Sequence, residues 1–342
     1  MTGTSLDGVD LIFSSFSEDG FKISAFNGKS FPAQLKEKLT EAHSLPLDKF
    51  FRLENEYSEF IASCVNEFAE QNALCPEFIG VHGQTILHDP AKKLGYQMLN
   101  GGLIAVATET PTICDFRRAD LAQGGQGAPL VPIGDEDLFS EYDACLNLGG
   151  FANVSYRDRD RRIAFDIDAC NMLFNQLASR ENKAFDQNGD LGKKGRIIPA
   201  IRESLHDLPY YKKTPPKSLG REWFEAAVWP LFKSGKTEDL LRTAYEHVAD
   251  QIAASIPSRG KVLVTGGGAY NRFFIELLRQ KSNAQFKIPK AELIEGKEAL
   301  IFAYLAYLRI NGNVNLNSAI SGGAKDLSAG AVLIIAVMAA II

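Results

Sequence analysis

The sequence lacks the features that mark secreted, zinc-binding and nucleic-acid-binding proteins. Its five cysteines are an odd number without a C-x-x-C pair, which argues against a disulfide framework or a zinc site and fits a reducing cytosol. The formal net charge of -5 gives no reason to expect nucleic acid as a partner. The first ten residues are polar and contain glycine, unlike a signal peptide. We therefore expect a cytoplasmic protein that acts on small molecules.

The chain also lacks an apolar run long enough to cross a membrane. Ala329–Ile342 is almost wholly apolar, but it is shorter than the roughly 20 residues that a spanning helix needs. We expect this tail to be buried against the core or a second subunit, and we expect a homodimer and no membrane partner.

The hydrophobic and charged contents of 45% and 23% are ordinary for a globular protein. The length of 342 residues predicts two domains.

The stretch Arg162–Asn175 is where the chemistry is predicted to lie. An apolar run ending at Phe165 predicts a buried strand, which would deliver Asp166 and Asp168 to the strand's end, before a helix that begins near Cys170. Open α/β sheets place their ligands at such strand-to-helix junctions. Carboxylates at that point can act as general bases or hold magnesium.

Three glycine-rich turns follow or precede predicted strands. The N-terminal turn before the strand Val9–Phe16 could offer backbone N–H groups and hydroxyls to an anion, with Asp7 and Asp10 as a magnesium ligand or substrate contact; a plain hairpin turn is the other interpretation. The turn at Gly149 separates two strands in the same layout. The two hairpins predict two lobes built on one plan.

The third turn lies in Lys261–Asn271, where a buried strand, three glycines and a helix follow one another. This order fits nucleotide phosphates at a helix N-terminus. It is neither the G-x-G-x-x-G fingerprint nor a Walker motif. Close packing of strand on helix without a ligand is the alternative.

Two further segments carry polar groups at strand ends. His82 and Gln84 are interpreted as hydrogen-bonding groups at a cleft edge, because His88 lies about 20 Å further along an extended strand and cannot share a metal with His82. Adjacent Arg117 and Arg118 are candidates for a two-pronged contact with a carboxylate or phosphoryl oxygen. The loop 124–132 that follows is interpreted as a hinge or lid.

Eight segments in order resemble the motifs of the anhydro-N-acetylmuramic acid kinase family, from about residue 1 to 330. The segments are MTGTSLDGVD, VHGQTILH, CDFRRADLAQGGQGAPLVP, LNLGGFANVS, FDIDACNML, KSLGRE, VTGGGAYN and SGGA. The order of all eight is far more specific than any one motif.

The resemblance implies a two-lobed, actin-like ATPase (ribonuclease H-like) α/β fold, with a mixed sheet flanked by helices in each lobe. We assign residues 1–133 to an N-terminal lobe, 134–326 to a C-terminal lobe and 327–342 to the apolar tail. The family uses ATP, with magnesium, to convert 1,6-anhydro-N-acetylmuramate and water to N-acetylmuramate 6-phosphate in cell-wall recycling. ATP would sit between lobes that close on the substrates.

The resemblance also implies roles for individual residues. Asp166 matches the catalytic aspartate that takes a proton from the attacking water. We assign the nucleotide to the turns at Gly3, Thr4, Ser5, Leu6, Asp7, Gly8, Val9 and Asp10, at Gly149, Gly150 and Asn153, and at Gly266, Gly267, Gly268 and Asn271. We assign the sugar to His82, Gln84, Arg118, Gln126 and Glu298. No residue is assigned as a metal ligand by the resemblance.

The sequence departs from the family's pattern at two points. Where members have glycines and proline after the catalytic aspartate, this chain has Ile167–Cys170, so Asp168 is an extra carboxylate whose repulsion could raise one pKa. Asn100 stands where members tend to have an aspartate. Two other hypotheses stay open: another sugar or carboxylate kinase of the same superfamily, and an inactive nucleotide-binding member.

Overall fold

The computed structural model describes residues 1–2, 6, 8–18, 20–159, 161–215 and 217–334. The chain divides into two compact units. Unit 1 consists of Met1–Leu138 together with the chain from Gly296 onward, and unit 2 is Phe139–Glu295. The residues after Gly296 thus group with the N-terminal part of the chain, whereas the sequence analysis placed 134–326 in one lobe.

The secondary structure of the described residues alternates between strands and helices. The strands are β1 (Gly8–Ser17), β2 (Gly20–Ser30), β3 (Ile79–Gly80), β4 (Gln84–Asp89), β5 (Leu94–Met98), β6 (Thr112–Cys114), β7 (Ala144–Leu148), β8 (Phe151–Asp158), β9 (Arg161–Ala169), β10 (Lys261–Thr265), β11 (Gln285–Lys287) and β12 (Ala331–Leu333). The helices are α1 (Ala33–Glu41), α2 (Leu47–Gln71), α3 (Gly101–Thr108), α4 (Arg118–Ala122), α5 (Val131–Leu138), α6 (Asn171–Ala178), α7 (Asp190–Lys194), α8 (Pro199–His206), α9 (Arg221–Trp223), α10 (Thr237–Ser255), α11 (Arg272–Lys281), α12 (Ala291–Ile310) and α13 (Ser318–Ser321).

Unit 2 is built on a mixed sheet of described strands in the order β11-β10-β7-β8-β9. β11, β10 and β7 are parallel, while β8 pairs antiparallel with both β7 and β9. The apolar residues of β7 and β10 are fully buried, as continuous apolar strands covered on both faces must be. The helices α6, α10 and α11 contribute to the same hydrophobic core.

Unit 1 divides its strands among smaller sheets. β1 and β2 form an antiparallel hairpin, β4 and β5 form another, and the described strands β12, β6 and β3 form a mixed sheet. The apolar residues of 47–72 recur at spacings of three and four, a pattern that predicts an amphipathic helix. The structure confirms it, because α2 buries Leu53, Tyr57, Ile61, Cys64 and Phe68. Each unit thus combines a mixed sheet with helices, which confirms the predicted α/β class.

Part of the apolar tail forms a strand. β12 pairs antiparallel with β6, and the preceding Ala329 is buried, while Ile334 is exposed. Residues 335–342, which the sequence analysis included in the tail, lie outside the described residues. Among the residues that are described, we find no helix with both the length and the apolarity that crossing a bilayer requires.

The core of unit 2 gives a direct test of the fold. Leu146 in β7 is fully buried, whereas Leu87 in β4 is 45% exposed. We expect Leu146→Ala to lower the free energy of unfolding by about 2–5 kcal/mol, because it removes buried methyl groups and leaves a cavity. Leu87→Ala is the matched control, with an expected change within about 0.5 kcal/mol. Urea denaturation of both variants measures the difference, and equal losses would contradict the assigned burial.

Candidate functional site

Asp166 lies inside a strand rather than after it. The prediction ended the strand at Phe165, but β9 continues to Ala169 because its last residues pair with the start of β8. The register shifts between Ala152 and Asn153, so that Asn153 lies opposite Asp166. Such a bulge re-aims side chains locally, and it brings Asn153 beside the candidate base.

The Asp166 carboxyl is held at one oxygen. The N–H of Leu219 donates to Oδ2 of Asp166 at 2.9 Å, and the N–H of Asp166 donates to the carbonyl of Lys217 at 3.1 Å. The side chain is half-buried. Burial raises the pKa of this carboxyl, while the hydrogen bond from Leu219 acts in the opposite direction. A half-buried carboxyl with a raised pKa is suited to accept a proton.

Asp168 does not act on Asp166 as the sequence analysis suggested. Burial, not repulsion from Asp168, is the main cause of the raised pKa of Asp166. Asp168 is buried and faces different partners: its Oδ1 accepts hydrogen bonds from the hydroxyl of Tyr211 at 2.8 Å and from the N–H of Ala169 at 2.7 Å. The extra carboxylate is therefore part of a separate buried network.

The turn Gly149–Gly150 supports the start of α6. The carbonyl of Gly150 accepts hydrogen bonds from the N–H groups of Cys170 and Met172, and that of Gly149 accepts one from Asn171. The side-chain amide of Asn171 donates to the carbonyl of Leu148. The predicted glycine turn is thus tied to the segment that follows Asp166.

The turn Gly266–Gly268 contains both packed and open positions. A Cβ on Gly266 would lie 2.5 Å from Oδ1 of Asn147, and one on Gly268 would lie 2.7 Å from the Cβ of Leu148. These two glycines are therefore required for close packing, as one interpretation predicted. Gly267 is exposed, and the nearest atom to a Cβ there would be Nδ2 of Asn171 at 3.7 Å. The backbone at Gly267 is open to a ligand.

Asn271 has a structural role at the end of this turn. Its Oδ1 accepts a hydrogen bond from the N–H of Phe274 at 3.0 Å, which makes it the N-cap of α11. An N-cap of this kind typically contributes about 1 kcal/mol to helix stability. Asn100, the departure in unit 1, likewise caps α3 through the N–H of Leu103.

The N-terminal turn can be described only in part. Gly3, Thr4, Ser5 and Asp7 lie outside the described residues. Leu6 has a left-handed backbone with φ 53°, Gly8 begins β1, and Val9 is a core residue. The backbone of Asp10 pairs with Met1, whose amine donates to the Asp10 carbonyl at 2.7 Å. The hydroxyl of Thr2 lies 3.1 Å from the carbonyl of Gly83, so the turn adjoins the segment that carries His82.

His82 is a buried, neutral imidazole. Its Nε2 accepts from the Arg117 guanidinium at 3.1–3.2 Å, and its ring stacks on Phe302 with centroids 4.3 Å apart. Burial and the Arg117 charge hold the pKa of His82 well below its usual range. Because Nε2 is an acceptor, the ring proton is assigned to Nδ1. Nδ1 is buried and has no hydrogen-bond partner among the described residues.

Arg117, not Arg118, is the arginine that contacts a predicted site residue. Burial lowers the pKa of Arg117 to about 10, while Glu298 acts in the opposite direction. Arg118 forms an ion pair with Asp115 at 2.6 Å, and 57% of its side chain is exposed. The residue pattern offers both arginines as candidates, and the resemblance assigns the sugar to Arg118. No spacing in the sequence distinguishes the two.

The loop predicted to be a hinge is anchored to its own unit. Arg117 donates to the carbonyl of Gly127 at 2.7 Å, and the N–H of Gly127 donates to Oδ2 of buried Asp120 at 2.7 Å. The N–H of Gln126 donates to the carbonyl of Ser321 at 2.8 Å, leaving the Gln126 side chain exposed. Asp120 also approaches Gly125 so closely that a Cβ would clash. These contacts argue for a fixed loop.

Other polar groups of unit 1 are buried without partners. Oε1 of Gln84, and both amide atoms of Gln97, have no hydrogen-bond partner among the described residues. Buried polar groups are usually paired, so such groups are candidates for ligand contacts.

Glu298 keeps an accessible surface in α12. Desolvation by the surrounding protein raises the pKa of its carboxyl, the Lys297 charge lowers it, and the Asp10 carboxylate raises it.

The described residues contain no group of three or more His, Cys, Asp or Glu side chains arranged to hold a metal ion.

Comparison with known proteins gives matches along almost the whole chain. A sequence model of the family described as anhydro-N-acetylmuramic acid kinase matches residues 1–334. The anhydro-N-acetylmuramic acid kinase of Actinobacillus pleuropneumoniae serotype 7 is 32% identical over 364 residues, which cover 97% of each protein. That of Haemophilus influenzae is 33% identical over 371 residues, covering 97% of this chain and 96% of the relative.

Among solved structures, a ROK hexokinase from Thermus thermophilus is similar with a TM-score of 0.37 and 13% sequence identity. The match covers 88% of this chain and 100% of that one. The similarity is too low to carry an argument about fold or chemistry.

The different positions of the two arginines predict different effects of the same substitution. Arg117→Ala removes the donor to the Gly127 carbonyl, so we expect amide hydrogen exchange in residues 124–127 to become about tenfold faster or more. Arg118→Ala removes the ion pair with Asp115 and a cation–π contact with Tyr96, neither of which involves the loop, and should leave this exchange unchanged. Hydrogen exchange with mass spectrometry compares the variants, and faster exchange in the Arg118 variant alone would contradict the assignment.

Proposed function

The chain belongs to the anhydro-N-acetylmuramic acid kinase family, and on this premise we propose how its own residues carry out the reaction. The protein is a kinase that phosphorylates an alcohol group of an amino sugar in peptidoglycan recycling. The substrates are ATP, 1,6-anhydro-N-acetylmuramic acid and water, and the products are ADP and N-acetylmuramic acid 6-phosphate.

The reaction joins hydrolysis to phosphoryl transfer. Water adds to the anomeric carbon, the bond from that carbon to the bridging oxygen breaks, and the bridging oxygen takes the γ-phosphoryl group of ATP. Asp166 accepts the proton that the water loses. Positioning and charge stabilisation supply most of the remaining rate enhancement in phosphoryl transfer.

The Asp166 carboxyl is the observation that carries this proposal. One oxygen is fixed by the Leu219 N–H, and the other accepts no hydrogen bond from any residue in the described part of the chain. Burial raises the pKa of the carboxyl, which makes it a stronger base than an exposed aspartate. A single oriented oxygen with raised basicity is what a general base for water requires.

The nucleotide is assigned to glycine turns in both units. In unit 2, the exposed backbone at Gly267 allows a phosphate or the adenosine to approach, while Gly266 and Gly268 fix the turn against β7. Gly149 and Gly150 form the turn between β7 and β8, and Asn153 lies opposite Asp166 in the same sheet. Of the N-terminal segment assigned to the nucleotide, the structure describes Leu6, Gly8, Val9 and Asp10.

The sugar is assigned to the polar groups of unit 1. His82 presents an unpartnered Nδ1 donor, and Gln84 presents an unpartnered acceptor. Substrate hydroxyl or amide groups would satisfy both. Arg117 takes the role first given to Arg118, because its charge lies beside His82. Glu298 remains assigned to the sugar, and Gln126 is assigned through its exposed side chain.

Magnesium fits this arrangement as a companion of ATP rather than as an ion caged by the protein. Mg²⁺ is usually held by one or two carboxylates together with substrate phosphates, and Asp10 is the described carboxylate at the end of the N-terminal turn. There the ion would neutralise phosphate charge. We further propose that the protein is a cytoplasmic homodimer. Cell fractionation would test the location, and sedimentation of the purified protein would test the oligomeric state.

Removing the base tests the assignment of Asp166. We expect Asp166→Asn to retain ATP affinity and to lose about 10²–10⁴-fold in kcat, because the attacking water no longer transfers its proton. Asp158→Asn is the matched control: it makes the same change at an exposed position at the end of β8. Coupled ADP release measures turnover, and calorimetry measures ATP binding. Turnover near wild type in the Asp166 variant would exclude this residue as the base.

The reaction itself is tested in heavy-oxygen water. Mass spectrometry should find one labelled oxygen at the anomeric carbon of N-acetylmuramic acid 6-phosphate and none in the transferred phosphoryl group. Label in the phosphoryl group, or a phosphorylated sugar whose ring is still bridged, would contradict the proposed sequence of bonds.

The raised pKa of Asp166 also predicts a stability effect. In the unfolded chain the pKa of an aspartate is about 3.9, and the folded protein holds the proton to higher pH because burial raises the pKa of Asp166. Ionisation therefore destabilises the fold as pH rises through this window. We expect Asp166→Asn to have a higher Tm than wild type at pH 7 and no advantage below both pKa values. Calorimetry across pH 3–7 measures this, and a lower Tm at pH 7 would contradict it.

A further inference from the structure

A buried polar network in unit 2 has no part in the chemistry described above. Asp168 and His247 are each 1% exposed, and Tyr211 lies between them. His247 comes from α10, and Tyr211 comes from the 3-10 turn Pro209–Lys212. Burying a carboxylate is costly unless it is hydrogen-bonded, so its retention here calls for a function.

The donors and acceptors of the network can be assigned. Burial and the Asp168 carboxylate raise the pKa of Tyr211, so the phenol is protonated and donates to Oδ1 of Asp168 at 2.8 Å. Nε2 of His247 lies 3.0 Å from the Tyr211 oxygen and 3.2 Å from Oδ2 of Asp168. Both neighbours present lone pairs, so Nε2 carries a proton. Nδ1 of His247, on the other side of the ring, is buried and has no hydrogen-bond partner among the described residues.

The same turn holds the candidate base from its backbone. The hydroxyl of Tyr210 donates to the carbonyl of Asp166 at 2.6 Å. Tyr210 and Tyr211 therefore bind two positions of β9 that lie two residues apart: the main chain of Asp166 and the side chain of Asp168. The rings of both tyrosines also pack against Trp223, with centroids 5.2 and 6.3 Å away.

The strand end needs such support because its pairing is irregular. The bulge at Ala152 and Asn153 interrupts the ladder between β8 and β9 beside Asp166. On the other edge, the described contacts of Asp166 come from the irregular segment Lys217–Leu219. Neither edge gives the backbone around Asp166 the continuous pairing of a regular ladder.

We propose that Tyr211, held by His247, binds the Asp168 carboxylate and so fixes the end of β9, which makes Tyr211 a positioning residue for Asp166. This inference rests on the proposed role of Asp166 as the base. The hydrogen-bond acceptors of Asp168, rather than its charge, carry the effect. A misplacement of about 1 Å in a reacting group can cost about 10²-fold in rate.

Tyr211→Phe removes only the hydroxyl. We expect kcat to fall by about tenfold or more, with KM for ATP and for the sugar within about twofold of wild type, because no residue of the network is assigned to either substrate. Tyr142→Phe is the matched control, since it removes the same atom from another half-buried tyrosine of unit 2. A wild-type kcat for Tyr211→Phe, or a loss confined to KM, would overturn the proposal.

A double-mutant cycle separates positioning from general loss of structure. Asp168→Leu should lose at least as much kcat as Tyr211→Phe, because it also removes the acceptor for the Ala169 N–H and the contact with His247. The double variant should lose no more than Asp168→Leu, since the interaction with Tyr211 is already absent. Asp168→Asn keeps an acceptor for Tyr211 and should retain most of the activity. Additive losses, or an Asp168→Asn variant as inactive as Asp168→Leu, would refute the mechanism.

Two further measurements keep the outcomes distinct. ATP-binding stoichiometry by calorimetry gives the folded fraction of each variant, and kcat is expressed per folded molecule. Asp166→Asn is assayed in parallel. If it is fully active, the proposed base is wrong; if it is inactive while Tyr211→Phe behaves as wild type, only the positioning role is wrong.

Discussion

The pairing of Asp166 with Lys217–Leu219 is the interaction on which the candidate chemistry depends. The two backbone hydrogen bonds place the carboxyl so that one oxygen is occupied and the other is available. Without them the side chain would rotate, and burial alone would raise its basicity without aiming it. The β-sheet of unit 2 contributes the strand, but Leu219, whose N–H holds the carboxyl, lies 53 residues later in the chain.

In unit 1, the contacts around His82 keep a buried side chain uncharged rather than orient a carboxylate. Around His82 the charges are arranged so that the imidazole stays neutral, since Arg117 donates to its Nε2 while burial disfavours a second charge. The same guanidinium ties down the Gly127 carbonyl. One residue thus sets both the tautomer of a candidate substrate ligand and the conformation of the neighbouring loop. Substituting it would disturb two functions at once, unlike a change at the adjacent arginine.

Sequence reasoning succeeded where a pattern has one physical meaning. The apolar periodicity of α2, the buried run of β10 and the strand that carries Asp166 each predicted the element found. The sequence did not predict that β9 continues beyond Phe165. Polar residues in a strand resemble a loop, and the β-bulge at this point has no sequence signature. The loop 124–132 resembled a hinge because the sequence does not reveal what anchors it. Asp120 is near in sequence but carries no pattern that marks it as an anchor, and Ser321 lies far away along the chain.

The candidate site was predictable at the level of motifs rather than contacts. Arg117 and Arg118 are the same residue type in adjacent positions, and only the packing of α4 decides which one turns inward. Asp168 resembled a neighbour that would repel the base, yet its partners come from α10 and a 3-10 turn that no local pattern connects to it. Asn271 and Asn100 fill helix caps, a role that the sequence allows but does not distinguish from ligand binding.

Neutral His82 has a consequence for how the protein senses its surroundings. Histidine is the side chain that most often gives a protein sensitivity to acidity near neutrality. Because burial and the Arg117 charge keep the pKa of His82 low, this ring does not gain a proton near neutral pH. It is a neutral ring with a fixed hydrogen-bonding pattern. A modest acidification of the cell would leave this imidazole unchanged, so among the groups assigned to the sugar it is Glu298, whose carboxyl has a raised pKa, that would respond to acidity.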